Sequence, residues 1–262
     1  PTLSFLPLSS EKEAFLNRYF LMITETGDRL EGPPALARWC SRQKLPYEKT
    51  ADEYIRTMKK YLAYRDENGL IEGIGKLKNT TGFSEIGLDQ LYYSDFYAIE
   101  RFGKTRLGTL LHIAKQTQNQ QMIREISQFI LTDVYKIIQQ EHIDAVGYIP
   151  PTLKRDVQFM TVMENTLNLS LPHLHLLKIR GDIVIPQKAL SRLEERIENA
   201  RSTIMVYEKR KFHKVLLIDD AVGSGATMNE TALKLKARAV ADYVIGYAVT
   251  GSFKGFDVIQ EV

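Results

Sequence analysis

Cysteine, tryptophan and long apolar runs are all scarce in this chain of 262 residues. Its single cysteine, Cys40, excludes an internal disulfide and a Cys-rich zinc site. No apolar run approaches the roughly 18 residues that a membrane helix needs, so we expect no membrane partner. Residues 1–10 lack the basic region and the long apolar core of a signal peptide. These absences predict a soluble, cytoplasmic globular protein.

Net charge is also small, because 35 Lys+Arg stand against 32 Asp+Glu, which leaves a formal charge of +3. A field this weak does not by itself indicate a nucleic-acid partner. The charge is unevenly distributed, since residues 150–214 contain 12 Lys+Arg and 7 Asp+Glu. The basic excess therefore lies in the second half of the chain.

The first part of the chain, residues 1–104, is predicted to form a mostly helical domain. Amphipathic patterns predict helices over 11–20, 35–43 and 49–64, and the glycines of segment 70–79 favour a hairpin. Three helices followed by a hairpin are the order of a winged helix-turn-helix. The candidates for contact with nucleic-acid phosphates are Arg56, Lys59, Lys60 and Arg65. The near-neutral local charge favours a structural or protein-contact role over DNA contact.

The rest of the chain is predicted to be helical up to residue 143 and α/β beyond it. Two long helices, 105–116 and 120–140, link the two halves. From residue 144, short apolar segments alternate with helices, which is typical of a parallel sheet flanked by helices. The predicted strands are AVGYI, LHLLKI, KVLLIDD and DYVIGYAVTG, and the predicted helices are 157–167, 187–200 and 227–239. The predicted domains are 1–104 and 144–262, with 105–143 as linking helices.

The most informative motif is VLLIDDAVGSGAT, residues 215–227. Its apolar strand ends in Asp219 and Asp220, at the edge where open α/β sheets bind ligands. The loop after them has small residues and opens a helix, so its N–H groups can approach a phosphate closely. The pattern predicts a phosphosugar site in which the carboxylates accept hydrogen bonds from sugar hydroxyls. The alternative is a βα turn in which the acids only mark the start of a helix.

Two common nucleotide motifs fit this segment less well. A Walker A loop would end in Gly-Lys-Ser/Thr, and no such residues follow here. A dinucleotide-binding turn has its acidic residue about 20 positions after the glycines, whereas here the acids precede them.

The motif resembles the 5-phosphoribosyl-1-pyrophosphate (PRPP) signature of type I phosphoribosyltransferases. The resemblance implies that Asp219 and Asp220 contact the ribose 2- and 3-hydroxyls, and that Mg²⁺ is held by PRPP and these acids without a direct metal site. The 5-phosphate loop that it implies is Ala221, Val222, Gly223, Ser224, Gly225, Ala226 and Thr227. Ala221 and Gly223 depart mildly from the family pattern, and neither departure removes a donor.

The same family has a pyrophosphate-binding loop after an earlier strand. Here AVGYI leads into residues 150–155, which end in Lys154 and Arg155. Cationic side chains on a loop stabilise pyrophosphate as it leaves. Lys154 and Arg155 are therefore candidate catalytic residues, together with Asp219 and Asp220. The alternative is solvated charge after a Pro-Pro turn.

The helix before the PRPP motif resembles that of ComF-like phosphoribosyltransferases, which are associated with DNA uptake. The matching residues, candidates for a flexible loop that closes over PRPP, are Gln187, Leu190, Arg192, Arg196 and Asn199. The alternative is an exposed helix held by Arg–Glu pairs. The Cys-rich zinc element frequent in that branch is absent, and the resemblance covers roughly residues 144–262.

Other side chains favour structural roles. The pair His173 and His175 suggests a metal site, but without an obvious third ligand a core or surface role is favoured. The aromatic residues Tyr92, Tyr93, Phe96 and Tyr97 are predicted to be core residues rather than a base-stacking surface. The segment proposed for binding an acceptor base contains Phe253, Lys254 and Phe256.

These patterns predict a PRPP-binding phosphoribosyltransferase that transfers phosphoribosyl to a nitrogen acceptor and releases pyrophosphate. One alternative is a non-catalytic regulator that senses PRPP or a nucleotide and binds DNA through residues 1–104. Another is a bacterial defence effector of the retron type with a phosphoribosyltransferase-like domain. The acceptor base stays open, as do nucleic acid and a second copy of the chain, in a homodimer, as partners.

Overall fold

Helices and strands alternate along the described chain, which in this computed structural model comprises residues 7–152, 155–179 and 193–253. The helices are α1 Ser10–Tyr19, α2 Gly32–Gln43, α3 Tyr47–Leu62, α4 Ile74–Lys78, α5 Arg106–Thr117, α6 Gln120–Glu141, α7 Phe159–Leu167, α8 Leu193–Thr203 and α9 Ala226–Ala237. The strands are β1 Leu21–Ile23, β2 Arg29–Glu31, β3 Ile71–Glu72, β4 Gln90–Phe96, β5 Ala98–Ile99, β6 Gly103–Lys104, β7 Ala145–Tyr148, β8 Leu176–Lys178, β9 Ile204–Val206, β10 Phe212–Val222 and β11 Ala241–Gly251. Within these ranges no helix is both long enough and apolar enough to cross a membrane.

The main sheet has five strands in the order β3-β4-β11-β10-β7. Strand β10 is parallel to both of its neighbours, and β11 is parallel to β4. Only β3 runs antiparallel to its neighbour. Parallel strands present their carboxyl ends at one edge, so the ends of β4, β7, β10 and β11 all lie on the same side of the molecule.

Both faces of the sheet are buried, because successive side chains of β10 point to opposite faces. Val215 and Leu217 pack into a core that includes residues of α9 and of the N-terminal helices. Leu216 and Ile218 pack into a second core formed with α5, α6 and α7. This arrangement explains the continuous apolar run of the strand, which is typical of a central parallel strand.

The chain changes direction between β7 and β10. After β7 it passes through α7 and returns beside the same strand, where His173 forms a parallel bridge with Val146. After β10 it passes through α9 and returns on the other side, as β11. Such a point, from which two crossovers leave in opposite directions, opens a crevice at the carboxyl ends of the strands.

Most elements of the α/β half are confirmed, and one N-terminal prediction is wrong. The segment predicted as a hairpin, 70–79, forms β3 and the short helix α4. Ile71 pairs with Tyr93 of β4 instead of with a neighbouring wing strand, and Ile74 and Leu77 give α4 a buried face. A hairpin also separates α1 from α2, because β1 pairs with β2. A winged helix is therefore not confirmed.

The main sheet also crosses the boundary predicted near residue 104. Residues 245–251 of β11 pair with residues 90–96 of β4, so the first part of the chain supplies two strands to the sheet of the second. The proposed linking helices α5 and α6 pack on one face of this sheet. The division into domains stays a prediction, but the sheet itself draws on both parts.

Helix α5 starts in close contact with the end of β4, and this contact generates a stability prediction. A Cβ atom on Gly108 would lie 2.0 Å from the carbonyl oxygen of Tyr97. Backbone cannot yield as a side chain does, so we expect Gly108→Ala to lower the free energy of unfolding by about 1–3 kcal/mol in chemical denaturation. Gly75→Ala is the matched control, because a Cβ there meets nothing closer than 3.5 Å. Equal stabilities of the two variants would contradict the close contact.

Candidate functional site

The crevice between the ends of β7 and β10 contains a cavity of about 250 Å³. Its walls come from the turn after β7, the turn after β10, and helices α5 and α7. The structure thus brings together residues 150–152, Arg155 and residues 219–227, which the sequence predicted as parts of one site. Lys154 lies outside the described residues.

The carboxylate pair, Asp219 and Asp220, lies at the end of β10, and the structure gives the two acids different surroundings. The ammonium Nζ of Lys115 lies 2.6 Å from Oδ2 of Asp220, and the two side chains are only 17% and 14% exposed. Among the described residues Asp219 has no such direct ion pair, and its Oδ1 accepts a hydrogen bond from the backbone N–H of Asp220 at 2.8 Å. Burial raises the pKa of Asp219, and the neighbouring charge of Asp220 adds to the rise. Lys115 and Lys178 act in the opposite direction on that pKa.

The phosphate loop, residues 221–227, lies along the cavity and leads into α9. Gly225 precedes the helix with a φ of +81°, a left-handed conformation that favours glycine. The hydroxyl of Ser224 accepts a hydrogen bond from the N–H of Ala226 at 3.3 Å. The first N–H groups of a helix have no partner within it, so this end of α9 can bind an anion.

Three cationic side chains, from α5, from the segment after β7 and from β8, line the cavity together with the carboxylate pair. Arg155 donates to the backbone carbonyl of Lys115. Lys178, at the end of β8, donates to the hydroxyl of Thr152 at 2.8 Å. Burial lowers the pKa of Lys178, and Asp219 opposes that effect. The cavity therefore combines two acids, a small-residue loop and cations from three separate elements.

The sequence analysis missed two of these cations. Lys178 carries a signal that could have found it, because it lies near the end of a predicted strand of the α/β half, and β8 ends at this residue. Lys115 carries none, since its helix α5 was predicted only as a link between the two halves.

The predicted flexible-loop residues are only partly testable. Gln187, Leu190 and Arg192 lie outside the described residues. Arg196 lines the cavity and is 6% exposed, so it is not part of an exposed, solvated helix face. Burial lowers the pKa of its guanidinium. Asn199 is half-buried and is not among the cavity residues, and its carbonyl accepts a hydrogen bond from the hydroxyl of Thr203 at 2.6 Å.

The N-terminal basic residues lie away from this cavity. Arg56, Lys59 and Lys60 are exposed along α3, and Lys60 forms an ion pair with Glu100 at 3.1 Å. Arg65 forms a largely buried ion pair with Asp95 at 3.3 Å, which makes it a poor candidate for phosphate contact. Contact with nucleic acid through α3 stays a prediction.

The remaining candidates have structural surroundings. His173 pairs with Glu164 at 2.6 Å. Tyr93, Phe96 and Tyr97 are buried in the core, as predicted, and Tyr97 also lines the cavity. Tyr92 is half-buried and packs against the core. Phe253 packs against the rings of Tyr61, Tyr64 and Phe96, and is not among the cavity residues. Lys254 and Phe256 lie outside the described residues.

The donor set suits a magnesium ion that a substrate brings with it. Among the described residues there is no group of three or more His, Cys, Asp or Glu side chains arranged to hold a metal. Mg²⁺ is commonly bound by one or two carboxylates together with substrate phosphates and water. The carboxylate pair fits that mode of binding.

Comparison with known proteins gives little further information about this site. No family model matches the chain, and no curated protein matches it. Among solved structures, it is similar to a hypoxanthine phosphoribosyltransferase from Staphylococcus aureus, at 13% identity and a TM-score of 0.29. The match covers 51% of this chain and 80% of that chain. A likeness of this size carries no argument about function, which must rest on the cavity residues.

The environment of Asp219 predicts a pH-dependent cost to stability. The pKa of Asp219 is raised in the folded chain. Ionisation of Asp219 therefore lowers the free energy of unfolding as the pH rises from the ordinary pKa of an aspartate through the raised pKa of the folded chain. We expect Asp219→Asn to raise the melting temperature at pH 8 by about 2–4 °C, and the gain to shrink towards pH 4.

The control for this variant is Asp242→Asn, since Asp242 is exposed near the opposite end of the sheet. It should not reproduce the gain in melting temperature at pH 8. Circular dichroism during heating measures both variants, and a lower melting temperature for Asp219→Asn at pH 8 would contradict the argument.

Proposed function

We propose that this chain binds PRPP in the cavity between β7 and β10 and transfers its phosphoribosyl group to a nitrogen acceptor. One observation carries the proposal. The carboxylate pair, the phosphate loop at the start of α9, and the cations Arg155 and Lys178 line a single cavity. PRPP is a sugar with a phosphate at one end and a pyrophosphate at the other, so it requires one of these kinds of group for each of its three parts.

Each part of PRPP has a partner among these residues. The phosphate loop offers backbone N–H groups and the hydroxyls of Ser224 and Thr227 to the 5-phosphate. The carboxylate pair accepts hydrogen bonds from the ribose hydroxyls. Bonds with one charged partner contribute about 1.5–3 kcal/mol each. Arg155 and Lys178 face the side on which the pyrophosphate would lie.

The reaction that this arrangement supports is a displacement at C1 of the ribose. The bond between C1 and the pyrophosphate oxygen breaks, and the electron pair leaves with pyrophosphate. The lone pair of the acceptor nitrogen forms the new bond to C1, and the nitrogen's proton is released to solvent. Cations beside the leaving group stabilise the charge that develops there. Mg²⁺, held by PRPP and the carboxylate pair, would neutralise further charge on the pyrophosphate.

The other wall of the cavity suits a flat, largely apolar acceptor. Its apolar side chains are those of Leu111, Ile123, Phe159 and Met160. Pockets for small molecules typically combine such a wall with a few polar groups that fix orientation. A heterocyclic base is therefore the acceptor class that we propose, on the side of α5, α6 and α7.

The direct test is turnover. The purified protein is incubated with PRPP, Mg²⁺ and a panel of purine and pyrimidine bases, and released pyrophosphate is assayed. We expect base-dependent release, and we expect the double variant Asp219→Asn, Asp220→Asn to bind PRPP at least about 100-fold more weakly in calorimetry. Saturable PRPP binding without release for any base would favour the sensor over the transferase. Unchanged binding by the double variant would reject the assigned site.

Two glycines of the phosphate loop provide a matched pair of variants. A Cβ on Gly225 would lie 2.7 Å from Cδ1 of Leu77, and its φ is left-handed, whereas a Cβ on Gly223 meets nothing within 4 Å. We expect Gly225→Ala to distort the loop and weaken PRPP binding by about tenfold or more. Gly223→Ala should change the affinity by no more than about twofold. Calorimetric titration with PRPP and Mg²⁺ compares them, and equal losses would argue against a phosphate site in this loop.

A further inference from the structure

Lys115 contacts both sides of the cavity, the end of β10 and the segment after β7. Its ammonium contacts Asp220 of the carboxylate pair at 2.6 Å, and its backbone carbonyl accepts a hydrogen bond from the guanidinium of Arg155. One turn further along, the side-chain oxygen of Gln118 accepts a hydrogen bond from the N–H of Val157 at 3.0 Å. The last turn of α5 therefore contacts both the end of β10 and the segment after β7.

Removing one partner of the ion pair with Asp220 costs more than removing one partner of a surface ion pair of the same geometry. Exposed ion pairs contribute little, because water screens them and two long side chains must be ordered. Here both side chains are more than four-fifths buried, so removal of one partner leaves a charge with poor access to water. Other cations line the cavity too, but Lys178 donates to Thr152 and Arg155 to the carbonyl of Lys115, and Arg196 comes from α8. The ion pair of Asp220 among the described residues is the one with Lys115.

We propose that Lys115 is a positioning residue of the substrate site. Its ammonium pairs with Oδ2 of Asp220 and orients the carboxylate so that the other oxygen can accept a hydrogen bond from a ribose hydroxyl. Its carbonyl at the same time holds Arg155 on the pyrophosphate side. The inference rests on the proposed function for the identity of the ligand. It adds that α5, a helix outside the segment that resembles phosphoribosyltransferases, is required for the site to work.

The test is a double-mutant cycle in PRPP affinity with Mg²⁺ present. Lys115→Met removes the ammonium and keeps the length of the side chain, and we expect affinity to fall by about tenfold. Lys115→Arg should restore most of that loss. Because Lys115 acts mainly through Asp220, Lys115→Met should cost much less in a chain that already carries Asp220→Asn, where only its electrostatic effect on Asp219 remains to be lost. That double variant also leaves no carboxylate without its partner at this position, so it remains measurable if the single variant folds poorly.

Lys211→Met is the control for the loss of one positive charge, because Lys211 is exposed before β10, at the opposite edge of the sheet. It should leave PRPP affinity unchanged. Fully additive losses in the cycle, or an unchanged affinity for Lys115→Met, would overturn the positioning role while leaving PRPP binding intact. Failure of the unaltered protein to bind PRPP would instead overturn the proposed function, and the role of Lys115 in substrate binding with it.

Discussion

The parallel pairing of β10 with β7 on one side and β11 on the other is the constraint on which the rest of the structure depends. It buries both faces of the strand, so residues 215–218 must be apolar. It also fixes where the polar residues can begin, since Asp219 is the first position at which the strand meets the crevice. The crossovers that leave β7 and β10 in opposite directions keep that crevice open.

This arrangement puts two neighbouring carboxylates in a largely buried part of the molecule. Two adjacent carboxylates at the end of a buried strand repel each other, and desolvation makes the ionised form of Asp219 costly. The structure offsets part of this cost with Lys115 and Lys178, which come from elements distant in sequence. Among the described residues, these two ammonium groups oppose the rise in the pKa of Asp219 without cancelling it. Binding sites commonly retain polar groups that a purely structural core would exclude.

The N-terminal part of the chain belongs to the same sheet and to the same hydrophobic core. Strand β4 lies against β11, and β3 lies outside β4. Leu77 of α4 rests beside the phosphate loop, at the position where a side chain on Gly225 would lie. Residues predicted as an independent winged helix thus form one edge of the sheet and support the loop, because their apolar faces pack into a core shared with α9.

Local sequence patterns were sufficient to predict several helices and strands of this protein. Periodicity alone predicted α5, α6 and α9, and the apolar run before two acids predicted β10, because these features depend on residues close together in the chain. The phosphosugar site that the order of acids, glycines and hydroxyls in residues 219–227 indicates stays a prediction. The hairpin predicted over 70–79 failed because the partner of β3 is β4, some 20 residues further on, and nothing local specifies it.

Only the tertiary structure decided which groups share the cavity. Lys115 lies about 100 residues before Asp220 in the chain, and no spacing rule joins a helix to a strand over that distance. Lys178 reaches the site because the segment before β8 returns beside β7, where His173 bridges to Val146, which is a property of the crossover and not of its own neighbours. Sequence by itself determined the chemistry of the phosphate loop and the carboxylate pair. The fold decided their counter-charges, because ion pairs form between residues that packing brings together, whatever their separation in the chain.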